Sequence, residues 1–115
     1  MNTLCHVEYF VTDLDRAQRF YEGIFGWEFR EYMGGTMRVF GIGETHIGGL
    51  MRRDTVAPGE SPSLWFQVAS LDESCARATA HGGRVVGERS EVPGVGWSIQ
   101  VSDPDGNLVG LVQYD

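Results

Sequence analysis

A chain of 115 residues, 42% of them hydrophobic and 22% charged, can bury one core without disulfide or metal staples. Its formal net charge of -7 repels nucleic-acid phosphates and anionic membrane surfaces, and no cationic run is longer than Arg52–Arg53, so neither is expected as a partner. No run of about 18 apolar residues exists and no basic segment leads into an apolar one at the N-terminus, which predicts a cytoplasmic protein. In that compartment Cys5 and Cys75 are expected to be reduced and buried.

Taken in chain order, "HVEYFV" (6–11) alternates as a strand and Asp13 stands where a short side-chain oxygen can cap a helix. That helix is predicted to bury Leu14, Ala17, Phe20, Tyr21 and Ile24 and to stop at Gly26. Strand candidates follow at 27–32, 36–41 and 46–52, and "RDTVAPGESP" (53–62) reads as a linker. The pattern then recurs. "SLWFQVASLDESCARATAHGGRVV" (63–86) repeats residues 6–29 at a constant offset of 57, matching Val11 with Val68, Leu14 with Leu71, Asp15 with Asp72 and Gly26 with Gly83. Ser70 with Glu73 forms a capping box, and the second helix buries a thinner stripe of Leu71, Cys75 and Ala78 before Gly82–Gly83. Strands are expected at 84–90, 96–102 and 108–114. The fold class is therefore α+β, two βαβββ modules (1–52 and 63–115) in tandem within a single domain spanning 1–115.

A duplicated βαβββ unit whose first copy reads "DLDRAQRFYEGIFGWEF" and whose second ends in "DPDGN" resembles the vicinal oxygen chelate superfamily, the glyoxalase, bleomycin-resistance and ring-cleaving dioxygenase group. The resemblance implies curled mixed sheets around a shared cleft that binds a small organic molecule and, in the enzymes, a divalent metal. It also implies metal ligands on the first and last strand of each module. His6 stands at the first of those positions, and its repeat partner is Ser63. The last-strand positions hold Gly49 and Gly110. Glycine offers no donor and a neutral hydroxyl is a poor ligand for these ions, so no metal and no other cofactor is expected. A site assembled from His6 with Glu8, His46 or a dimer partner remains open.

Residues two apart on a strand share a face, which turns this register into an inventory of the cleft. With His6 inward, Glu8 and Phe10 follow, while Val7, Tyr9 and Val11 face the helix. The second module contributes Trp65 and Gln67, with Leu64, Phe66 and Val68 toward its helix. Ile47, Gly49 and Met51 are expected inward from one last strand and Leu108, Gly110 and Val112 from the other, joined by Ser98 and Gln100. Candidate ligand-binding residues are thus His6, Glu8, Phe10, Met51, Trp65, Gln67, Ser98 and Gln100, with His6 and Glu8 the candidates for acid–base catalysis.

Each has a plainer alternative: His6 as a hydrogen-bonded strand residue, Glu8 as a charge paired with an arginine, Phe10 and Trp65 as core. Cys5 and His6 are adjacent on a strand and point to opposite faces, so they form no nucleophile–base pair. "GIGETHIGGL" lacks the lysine and strand-to-helix context of a phosphate loop. The leading expectation is a metal-free small-molecule-binding protein. The alternatives are a lyase, isomerase or dioxygenase of the same fold using His6 and Glu8, or an interaction subunit whose cleft is closed by its own side chains. The resemblance further implies a homodimer, for which Trp27, Phe29 and Tyr32 suggest an apolar edge.

Overall fold

The computed structural model describes residues 1–115. Its elements are β1 (Thr3–Val11), α1 (Leu14–Phe25), β2 (Glu28–Tyr32), a 3-10 turn (Met33–Gly35), β3 (Met37–Ile42), β4 (Thr45–Arg52), β5 (Ser63–Gln67), α2 (Leu71–Ala80), β6 (Arg84–Val92), β7 (Gly96–Ser102) and β8 (Leu108–Tyr114). They form the two successive βαβββ modules of an α+β fold. The chain divides into two compact units, Cys5–Ser63, and Met1–Leu4 with Leu64–Asp115, so residues 53–62 group with the first.

Within the first unit the strands run in the order β2-β3-β4-β1. β2, β3 and β4 are antiparallel neighbours, and β1 pairs parallel with β4. The Asp13 side chain accepts from the Arg16 N–H at 3.1 Å and starts α1, and Gly26, at φ 68, ends it in the left-handed conformation. Leu14, Phe40 and Leu50 are buried between α1 and the sheet, with Tyr9, Val11, Ala17, Tyr21, Trp27, Phe29 and Ile47 packed around them. Trp27 lies on Phe40 with ring centroids 4.6 Å apart, and Phe29 lies 5.2 Å from the same ring. Trp27 and Phe29 therefore complete the core instead of forming an apolar edge.

Three burial expectations are corrected by helix and ladder geometry. Phe20 and Ile24 are 58% and 55% exposed, because α1 meets the sheet along Leu14, Ala17 and Tyr21 and Phe20 is turned roughly 90° from the centre of that stripe. Ile24 sits on the last turn, at the edge of the contact. Ile47 packs in the helix-side core. The β3–β4 ladder shifts between Phe40 and Gly41, so that Phe40 faces Gly48 while Gly41 faces His46. This bulge inserts Ile47 between the pairs and reverses its face.

The second unit repeats the arrangement as β5-β8-β7-β6, with β5 parallel to β8 and the other pairs antiparallel. Ser70 accepts from the Glu73 N–H at 3.2 Å to cap α2. Val68, Leu71, Val101 and Leu111 form its core, with Cys75, Ala78, Ile99 and Val109 against them. Leu64 is not part of that core and is 43% exposed. Cys5 and Cys75 are half-buried rather than fully enclosed.

The "DPDGN" turn owes its shape to Asp103. Its carboxylate accepts from the Asp105 and Asn107 N–H groups and from the Asn107 amide, each at 2.9 Å, and Gly106 supplies φ 89. The Asn107 amide, followed by these N–H groups, holds the Asp103 pKa below its ordinary 3.8. A carboxylate depressed in the folded state stabilises above its unfolded pKa and loses that contribution as pH falls through the folded one. Asp103→Ala is accordingly expected to lower the melting temperature at pH 7, with the difference from the parent shrinking below pH 3.8 in a pH series of thermal melts.

Candidate functional site

On β1 the helix-side core takes Tyr9 and Val11, which leaves His6, Glu8 and Phe10 on the opposite face. Parallel pairing sets Gly49 beside Glu8 and Met51 beside Phe10. The β4 bulge that sends Ile47 to the core brings His46 across to His6. Their rings stack with centroids 5.1 Å apart and an interplanar angle of 14°, and His6 Nδ1 lies 2.8 Å from His46 Nε2. The other His6 nitrogen, Nε2, is 3.2 Å from Glu8 Oε1. The side chains of His6 and Glu8 are only 19% and 12% exposed.

These contacts form a chain with one consistent proton arrangement when Glu8 is a carboxylate and both imidazoles are neutral. His6 Nε2–H donates to Glu8, His46 Nε2–H donates to His6 Nδ1, and His46 Nδ1 keeps its lone pair. Burial of the His46 ring, the largest influence on it, holds its pKa below the ordinary 6.5, which favours the neutral ring this arrangement requires. A depression of about 340 Å³ lies beside it, with Glu28, Arg30, Val39 and Thr45 among its lining residues along with His46 itself. His46 belongs to the arrangement although alternation from His6 alone does not select it.

In the second unit the expected residues fall into two cross-strand rows. Trp65 pairs with Gly110, which pairs with Gln100, and Gln67 pairs with Val112, which pairs with Ser98. Ile99, Val109 and Leu111 pack toward α2, so both rows lie on the face away from the helix. Ser98 is buried, at 9% exposure. A Cβ built on Gly110 would fall inside the Trp65 indole. The glycine is the seat on which that ring rests.

A family-type metal centre does not fit these residues. Both His6 ring nitrogens are engaged by protein groups. A Cβ on Gly49 would stand 2.5 Å from Met37 Cε and 3.2 Å from His6 Cε1, so the first module's last-strand position is filled by neighbours. The second module's is covered by Trp65. Nowhere do three or more His, Cys, Asp or Glu side chains converge as ligands.

Two successive βαβββ modules, each with one helix and a four-stranded mixed sheet, define the class of fold to which the chain belongs. Residues 3–111 match the Glyoxalase/Bleomycin resistance protein/Dioxygenase superfamily, and the chain belongs to that superfamily. It is 29% identical over 102 residues to "Putative glyoxylase CFP32" of Mycobacterium tuberculosis, an alignment covering 86% of this chain and 39% of that protein. The chain thus spans about two-fifths of the length of that relative. Among solved structures it resembles methylmalonyl-CoA epimerase from Mycobacterium tuberculosis, with TM-score 0.72, 22% identity and coverage of 98% of this chain and 88% of the other. A glyoxalase/bleomycin resistance protein/dioxygenase superfamily member from Vibrio splendidus 12B01 gives TM-score 0.70 at 17% identity, covering 96% and 99%. At these identities the structural likeness concerns the fold.

Proposed function

We propose that this chain binds a small organic molecule without a family-type metal ion, against the face of β1 and β4 that carries His6, Glu8, Phe10 and Met51. Trp65, Gln67, Ser98 and Gln100 are the corresponding ligand-contacting candidates of the second unit. The observation that carries this reading is the Glu8–His6–His46 chain, which spends both nitrogens of the one histidine standing at a family ligand position. Trp65 on Gly110 supports it from the other module. Polar groups set in a half-buried apolar face suit recognition of an organic ligand.

The same chain of hydrogen bonds favours one second reading, acid–base catalysis without metal. His46 Nδ1 would take a proton from an acidic carbon, and the positive charge would be shared through His6 with Glu8. An epimerase among the structural neighbours makes acyl thioesters a reasonable first class to try.

One set of measurements separates these readings. Equilibrium dialysis against Mn²⁺, Ni²⁺ and Zn²⁺ is expected to leave well under one ion per chain, and a stoichiometric ion lost in His6→Ala overturns the metal-free reading. Thermal-shift screening across metabolites is expected to find a stabilising ligand class, since a ligand at 100 times its Kd adds about 2.7 kcal/mol. Deuterium uptake from solvent at the α-carbon of a bound thioester, abolished in His46→Ala, would move the assignment from binding to catalysis.

A further inference from the structure

Phe10 shares its face of β1 with His6 and Glu8, and one side of its ring is covered. The guanidinium of Arg53, the first residue beyond β4, lies 3.7 Å above the ring centroid. Arg53 is anchored twice, by this stacking and by its backbone N–H, which donates to Val11 O at 2.8 Å. Its charge is met by Glu60 from the same loop: Arg53 Nη1 donates to Glu60 Oε1 at 2.8 Å, while Glu60 Oε2 accepts from the Ala57 N–H at 2.8 Å. A carboxylate of the chain is therefore parked on an arginine stacked upon an aromatic residue of the candidate site.

The two partners are not held alike. Arg53 is fixed by the end of the β1–β4 ladder and by Phe10, and its planar fork suits carboxylate recognition. The Glu60 carboxylate is held by Arg53 and the Ala57 N–H, and its own backbone N–H donates to Ala57 O at 3.1 Å within the same short loop. With side chains 44% and 32% exposed, such a pair is weak, so an incoming carboxylate can displace Glu60 at small cost. The other ion-paired arginines differ: Arg38 is bound to Asp15 and Gln18 on α1, Arg52 to Asp54 and Arg89 to Asp72.

We propose that Arg53 stacked on Phe10 is the carboxylate subsite of the ligand face, with Glu60 its internal stand-in, so that the ligand is an organic acid whose apolar body lies along Phe10 and Met51. This rests on the β1–β4 face being the ligand site. Calorimetry with benzoate and its neutral isostere benzamide tests it on the full chain, in the parent and in Glu60→Gln and Arg53→Gln. Benzoate is expected to bind better than benzamide, to tighten about fivefold in Glu60→Gln, the worth of removing a weak internal competitor, and to lose its advantage in Arg53→Gln. Thermal melts confirm that each variant is folded. Equal binding of the two probes, or no tightening in Glu60→Gln, overturns the carboxylate subsite and leaves the ligand face standing. Failure of both probes in every folded variant overturns both.

Discussion

Phe40→Ala is expected to lower the unfolding free energy by about 3 to 5 kcal/mol, the range for emptying a buried aromatic site. Phe40 is 2% exposed and is the ring on which the first unit converges. Trp27 lies nearly parallel to it at 4.6 Å, Phe29 at 5.2 Å and Tyr21 at 6.4 Å. Its seat on β4 is Gly48, opposite it in the ladder, where a built Cβ would stand 3.1 Å from Phe40 Cζ. The neighbours are large rings fixed by each other, so they cannot collapse into the space. Since domains of this size are stable by only about 5 to 15 kcal/mol, the variant should be largely unfolded at moderate urea. Denaturation curves with unchanged m-value and a lower midpoint would show it. Phe20→Ala, on the exposed side of α1 with only an edge contact to Tyr21, is the control and should cost no more than about 1.5 kcal/mol. Comparable losses in the two variants would mean that the core is not centred on Phe40.

What could be read from the chain is what short-range chemistry decides. Asp13 and Ser70 cap helices by bonds to residues three positions on, and the offset of 57 between them exposes the duplication with no knowledge of packing. Strand alternation likewise separates Tyr9 and Val11 from His6, Glu8 and Phe10. It fails at Ile47 because a bulge is a property of two strands together. A trace was present all the same: Gly41 and Gly48 lie within strand patterns, and a Cβ on Gly41 would meet the Thr45 carbonyl. Read as close-approach positions, they mark the bulge that delivers His46 to His6. Arg53 and Glu60 left no such trace, since stacking on Phe10 depends on the path of the loop after β4, and a Pro- and Gly-rich segment reads as linker whether or not it folds back.

Gly110→Glu tests whether the missing ligand is a simple vacancy, and it is expected to cost about 3 kcal/mol of stability while conferring no metal binding. The position is buried between Trp65 on β5 and Gln100 on β7, and any side chain there enters the volume of the indole. Overpacking of this kind costs about 1 to 3 kcal/mol, and a carboxylate without a partner adds a further penalty. Gly110→Ala carries only the steric part and should fall lower in the same range. The two contributions separate in a double-mutant cycle: Trp65→Ala in the Gly110→Glu background should recover at least about 1 kcal/mol relative to additivity, because the clash is with that ring. Urea denaturation gives the energies, and dialysis against Zn²⁺ and Ni²⁺ reads metal. A Gly110→Glu protein that keeps the parent's stability, or takes up a stoichiometric ion, would show that the carboxylate position was merely empty. The expected result makes the glycine a consequence of Trp65, with the aromatic ring and the ligand-site carboxylate as mutually exclusive uses of one place in the sheet.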